Sequence, residues 1–66
     1  MKISKQQIQF RMAEKKMTMT ALAKASGISR QQLGVILAKG TCTPVSAGKI
    51  ADGLGVDVAD IVGKED

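Results

Sequence analysis

Residues Thr18 to Gly40 read TMTALAKASGISRQQLGVILAKG. Two helical stretches separated by a tight turn are written into this segment. Ala23 and Gly27 stand four residues apart. A small residue at the first position lets a second helix cross closely, and glycine at the second suits a turn residue held at positive φ. Leu22, Ile28, Leu33 and Ile36 recur at the spacing that buries one side of both helices. Thr18 stands where it caps the first helix. Ser29 and Gln32 form an S-x-x-Q box that opens the second, and Gly40 marks its stop. Ser26 breaks the pattern, occupying a place where an apolar residue is expected.

Outward from this segment the same signals recur. Upstream, Ser4 and Gln7 make another S-x-x-Q box, and Ile8 and Met12 supply an apolar side with Phe10 as a third candidate. Downstream, Thr43-Pro44 reads as a cap followed by proline at the first helical position, where its missing N–H costs nothing. Ile50, Ala51 and Leu54 share a face of that helix. Gly55 suits the left-handed residue after it, and Val56 the apolar contact that folds back. Asp57 is placed to cap a last short helix carrying Val58, Ile61 and Val62, with Gly63 as its end. Lys64, Glu65 and Asp66 read as a frayed tail.

The predicted helices span about 4–16, 18–26, 29–38, 44–54 and 57–62. No alternation of strand type is sustained, and no repeat or linker divides the chain. Residues 1–66 are therefore expected to form a single all-α domain, with five helices too short to stand alone packed around one core.

Composition narrows the function. A chain of 66 residues buries only about 60% of the surface its unfolded form exposes. The single Cys42 excludes an intramolecular disulfide framework, and with no histidine a metal centre or a general base is not expected. Phe10 is the only aromatic residue, which disfavours gripping single strands by stacking bases. The longest apolar run, Val35 to Ala38, is far short of the ~20 residues that span a bilayer. No apolar signal segment follows Met1–Ser4, so a reducing cytoplasm is the expected compartment.

Charge is unevenly placed. Within residues 1–40, Lys2, Lys5, Arg11, Lys15, Lys16, Lys24, Arg30 and Lys39 face Glu14 alone, a balance of +7. Residues 41–66 hold Lys49 and Lys64 against Asp52, Asp57, Asp60, Glu65 and Asp66, a balance of −3, leaving the chain at +4. Such polarity suits a polyanion against the first two thirds of the chain, and equally an uneven solvated surface.

The stretch TMTALAKASGISRQQL resembles the helix-turn-helix of the Cro and phage-repressor (XRE) family, and GTCTPVSAGKIADGLGVDVADIV resembles that family's fourth and fifth helices. The resemblance runs from about Ile8 to Val62. It implies a compact five-helix lambda-repressor-like domain that binds operator DNA, normally as a homodimer on a two-fold symmetric, near-palindromic site. This sequence departs from the family at Leu37, where an acidic residue is frequent, and at Gly34 and Val35, which replace polar residues on the DNA-facing side.

The residues of the third helix can be read independently. With Leu33 set inward and about 100° per residue, Ser29, Ile36 and Leu37 lie near the inward direction. Gln31, Val35 and Ala38 point outward, with Arg30 and Gly34 on one edge and Gln32 and Lys39 on the other. Small apolar and amide groups suit a surface that is covered in use. Glutamine can pair with adenine, arginine with guanine, and apolar groups with the thymine methyl. Arg30, Gln31, Gly34 and Val35 are therefore the candidates for base reading. Gly34 costs about 1 kcal/mol in mid-helix, which either a close partner or a crowding neighbour helix could explain. Thr18, Met19, Lys24, Ser29, Gln32, Lys39, Thr41 and Thr43 are the candidates for holding the DNA backbone.

Val56, Val58, Ile61 and Val62 are the candidate dimer contacts, because a helix so short cannot bury them all. Cys42 reads as a half-buried packing residue or as a reactive thiol beside Lys39. Nothing in the residue pattern points to an enzyme or a cofactor. The expected role is a regulator that represses by occupying its operator. A toxin-neutralising or protein-interaction module on the same fold is the alternative.

Overall fold

The structure is a computed structural model, and it describes residues 1–63; the tail reading of Lys64, Glu65 and Asp66 falls outside the described residues. Four α-helices follow one another: α1 (Lys5–Lys15), α2 (Met19–Ser26), α3 (Arg30–Lys39) and α4 (Pro44–Leu54). Each begins at the hydroxyl side chain expected of it. Ser4 Oγ accepts from the Gln7 N–H at 3.2 Å, Thr18 Oγ1 from Ala21 at 3.1 Å, Ser29 Oγ from Gln32 at 3.0 Å and Thr43 Oγ1 from Ser46 at 3.2 Å. Such caps contribute about 1 kcal/mol apiece. In the two S-x-x-Q boxes only the serine half is made among the described residues.

The turn between α2 and α3 is built as its residues demand. Gly27 sits at φ 70°, and the Ile28 N–H reaches back to the Ala23 carbonyl at 3.1 Å. That left-handed step costs glycine little and reverses the chain within three residues. Ala23 and Ile28 are both buried, so the turn is fixed by packing as well as by backbone bonds.

One core lies between the helices. Ile8, Leu22, Leu33, Ile50, Leu54 and Ile61 are its largest fully buried side chains, each worth roughly 2 kcal/mol in water-excluded apolar area. Ala47 and Ala51 of α4 and Leu37 of α3 complete it. Phe10 is not part of it: the ring is 53% exposed on the outer side of α1. Ser26 is buried, and α4 passes against it at Gly53, where a methyl group would overlap Ser26 Oγ. An apolar side chain of ordinary size has no room there, which accounts for the break in the hydrophobic pattern.

The expected fifth helix at 57–62 is only a single 3-10 turn, Val58–Asp60. The Asp57 N–H donates to Asp60 Oδ2 at 3.1 Å and closes the turn. Beyond it the chain extends, and Val62 makes an antiparallel bridge with Ile3. The reason lies in the first four residues, which pair on both sides. Ile3 N–H donates to the Gly40 carbonyl at 2.9 Å, Ser4 N–H to Ile61 at 2.7 Å, Cys42 N–H to Met1 at 2.9 Å and Gly63 N–H to Lys2 at 3.0 Å. A longer helix would withdraw residues 61–63 from these bonds. Ile3 is only 4% exposed, so the arm also plugs the core.

Candidate nucleic-acid interface

Helix α3 enters the surface with its apolar stripe turned inward. Leu33, Ile36 and Leu37 are buried, while Arg30, Gln31, Gln32, Val35, Ala38 and Lys39 are exposed. The buried stripe anchors the helix and fixes which side chains project. Leu37 is thus a core residue.

The candidates for base reading fall together on this face. Arg30 and Gln31 occupy the first turn, exposed, at the end of α3 that follows the tight turn. Val35 is 46% exposed one turn further on. Around Gly34 the space is open: a Cβ built on it meets nothing within 4 Å. A crowding neighbour helix is therefore not the reason for glycine at that position.

The backbone candidates divide. Gln32, Lys39, Thr41 and Thr43 line, with Val35, an open groove between α3 and the start of α4. Met1, Ile36, Cys42, Pro44 and Ser46 complete its walls, and none of the five is expected there from the sequence. Pro44 and Ser46 follow directly from the Thr43 cap, and the cap could have indicated them. Met1 could not have been found, because only the pairing of the N-terminal arm carries it there.

Thr18, Lys24 and Ser29 are exposed but stand away from that groove, on α2 and its flanking turns. Thr18 Oγ1 accepts the Ala21 N–H, which leaves its own O–H to donate. The amides of the first turn of α2 have no carbonyl partner within the helix, and no carboxylate occupies that turn. An anion is thus favoured at this end. Met19 is half-buried against the core, so it can offer its backbone but not a free side chain.

Electrostatics on this side are uncompensated. Among the described residues the one ion pair is Arg11 Nη1 to Glu14 Oε1, at 3.4 Å on α1. Lys24, Arg30 and Lys39 carry their charges into solvent on α2 and α3. Burial pushes the Cys42 thiol above its usual range, against the opposing pull of the N-terminal ammonium group, a direction that does not favour the thiolate. Cys42 packs against the core as a half-buried residue.

The dimer candidates divide as well. Ile61 is fully buried within its own chain and offers nothing to a partner. Val56 and Val58 are half-buried and packed on the core. Val62 alone is exposed, at 37%. The short turn does not bury all of these side chains: the core and the arm around Ile3 enclose Ile61, and Val62 is left on the surface.

Comparison with protein families gives one result that agrees with this geometry. The family model for the Cro/C1-type HTH DNA-binding domain matches residues 7–66. Searches of curated proteins and of solved structures found no significant match.

Proposed function

We propose, from the premise that the chain belongs to the Cro/C1-type HTH DNA-binding domain family, that it is a sequence-specific transcriptional regulator which represses by occupying its operator. The observation that carries this reading is the exposed first turn of α3. Arg30 and Gln31 project there from a helix whose opposite face is locked into the core. Their chemistry matches guanine and adenine edges in the major groove. The remaining cations of residues 1–40 supply the sequence-independent attraction to phosphate. The reading is of a binding protein without catalysis, acting in the cytoplasm where its DNA is.

The operator is proposed to be a near-palindrome bound by two copies, with recognition helices about 34 Å apart. Val62, with the exposed edges of Val56 and Val58, is the surface proposed to meet the second copy. Occlusion of a promoter by such a dimer requires no further domain.

Selection of bound duplexes from a random pool tests the reading. A defined motif with two related half-sites is expected. Affinity for it should fall as salt rises, with a log–log slope near −0.9 for each phosphate contact. A toxin-neutralising module, for which DNA binding is secondary, would instead copurify with a protein partner.

A further inference from the structure

Three of the four helices close on themselves. The Met17 N–H returns to the Met12 carbonyl at 2.9 Å after α1, Ile28 to Ala23 at 3.1 Å after α2, and Val56 to Ala51 at 3.0 Å after α4. Each bond joins the second residue past the helix to a carbonyl of its last turn, and so sets the direction in which the chain leaves. Among the described residues α3 has no such bond. Gly40, at φ 73°, donates to Ile36 at 2.8 Å, the simpler closure, and the Thr41 N–H that would fold back has no backbone partner.

The N-terminal arm fixes the exit of α3 instead. On one side of Thr41 the Gly40 carbonyl accepts the Ile3 N–H at 2.9 Å. On the other the Cys42 N–H donates to the Met1 carbonyl at 2.9 Å, and Thr41 itself pairs with Lys2. Ile3 is 4% exposed, so the arm is anchored in the core. That anchor gives the pairing one register, because a slip by one residue would turn Lys2 or Ser4 into the apolar site. Thr41 is exposed and lines the open groove beside Gln32 and Lys39 of α3. The Thr43 hydroxyl is already engaged, accepting from the Ser46 N–H and donating to Ser46 Oγ at 3.1 Å. The free donor at this end of α3 is therefore the Thr41 N–H, a group suited to a phosphate oxygen. We propose that Ile3 is a positioning residue for DNA binding. It holds the arm against residues 40–42 and so sets the Thr41 N–H, relative to α3, where it meets one phosphate. The proposal rests on the reading of the chain as a DNA-binding protein with Thr41 at the DNA backbone.

The test removes single N–H groups from a chemically assembled full-length chain, one amide at a time becoming an ester, so that every side chain stays. The ester at Ile3 deletes the bond to Gly40, and the ester at Thr41 deletes the free donor. The ester at Ser4 deletes the bond to Ile61 and is the control for loosening the arm on its far side. Binding to the selected operator is measured where circular dichroism shows each chain folded. The Ile3 and Thr41 esters should each bind about fivefold more weakly per half-site, with base preference unchanged. Combined, they should lose no more than the Thr41 ester alone. One methylphosphonate in each half-site should weaken the parent and make no difference to these two esters. The Ser4 ester, and Ile3→Val with most of its buried side chain kept, should bind as the parent does. The proposal is overturned if the Ile3 ester keeps full affinity while the Thr41 ester loses it, a result that leaves the contact at Thr41 standing. It is also overturned if the Ser4 ester loses as much as the Ile3 ester, or if the two losses add. Full affinity in the Thr41 ester would remove the phosphate contact, and the proposal with it.

Discussion

Gly53 of α4 lies against Ser26 of α2 so closely that a methyl on Gly53 would overlap Ser26 Oγ and stand 3.1 Å from Ser26 N and 3.3 Å from the Ala25 carbonyl carbon. Two of these three neighbours are backbone atoms and cannot rotate away. Alanine normally stabilises a helix relative to glycine, but here the sign reverses. Gly53→Ala is expected to cost about 1–3 kcal/mol through overpacking. Thermal melts of Gly53→Ala and Gly48→Ala, the latter at an open position in α4, should move in opposite directions, and a stabilised Gly53→Ala would refute the close contact.

Ser26 carries the other half of this arrangement. Its hydroxyl is buried and has no hydrogen-bond partner among the described residues. An unpaired buried hydroxyl costs on the order of 1–3 kcal/mol. Ser26→Ala keeps the Cβ that packs beneath Gly53 and removes the orphaned oxygen. A gain of up to about 1 kcal/mol is expected. Chemical denaturation measures it, and a loss of stability would show that the hydroxyl is satisfied in solution.

These two residues also mark where the sequence was legible. Local chemistry was readable: the caps at Ser4, Thr18, Ser29 and Thr43 and the left-handed Gly27 each depend on a few neighbouring residues. The exposed face of α3 followed from helical periodicity around Leu33. What depended on distant chain was not readable. Ser26 looked like a defect because its partner Gly53 lies 27 positions away. The fifth helix was over-read because Val58, Ile61 and Val62 have helical spacing, whereas residues 61–63 are claimed by the arm at Lys2 and Ile3. The same spacing makes Ile61 one of the candidate partner contacts, since no local signal places Ile3 over the core.

The arm should therefore contribute to stability as a core element. Ile3 is 4% exposed, and its amide and that of Ser4 donate to Gly40 and Ile61. Ile3→Ala is expected to cost about 2–4 kcal/mol, a large share of what a domain this small possesses. Amide hydrogen exchange gives a second measure, in which Ile3 and Ser4 should be protected to the level of the helices rather than exchanging as a loose terminus.

Cys42 gives a pH dependence with a defined sign. Burial raises its thiol pKa in the folded state. The unfolded thiol ionises at its ordinary, lower value, so as pH rises the folded chain holds a proton that the unfolded chain releases. The favourable contribution is complete below that value and is lost as pH climbs through the raised folded pKa. Between pH 7 and 10 the parent should lose more stability than Cys42→Ala, and alkylation of the thiol at neutral pH should be slow. Parallel stability curves for the two proteins would contradict this.

The readout of α3 separates into two kinds of contact that mutations can tell apart. Gln31 stands in the exposed first turn of α3, and Lys24 in the last turn of α2. If Gln31 reads a base, Gln31→Ala should weaken operator binding by about 1–3 kcal/mol and relax the preference at one position, an A·T pair by the chemistry of the amide. Lys24→Ala should lower affinity for every duplex alike and reduce the salt slope by about one unit, the signature of a lost phosphate contact. Arg30→Ala distinguishes its own role on the same two axes, by a changed G·C preference or by a changed slope. All three side chains are exposed, so each substitution should leave stability within about 0.5 kcal/mol and lost binding cannot be assigned to unfolding. Binding curves over a salt series, with the selected operator and with each single-base variant, resolve the two patterns. An unchanged preference at every position in Gln31→Ala would remove α3 as the reading element and turn attention to a protein partner.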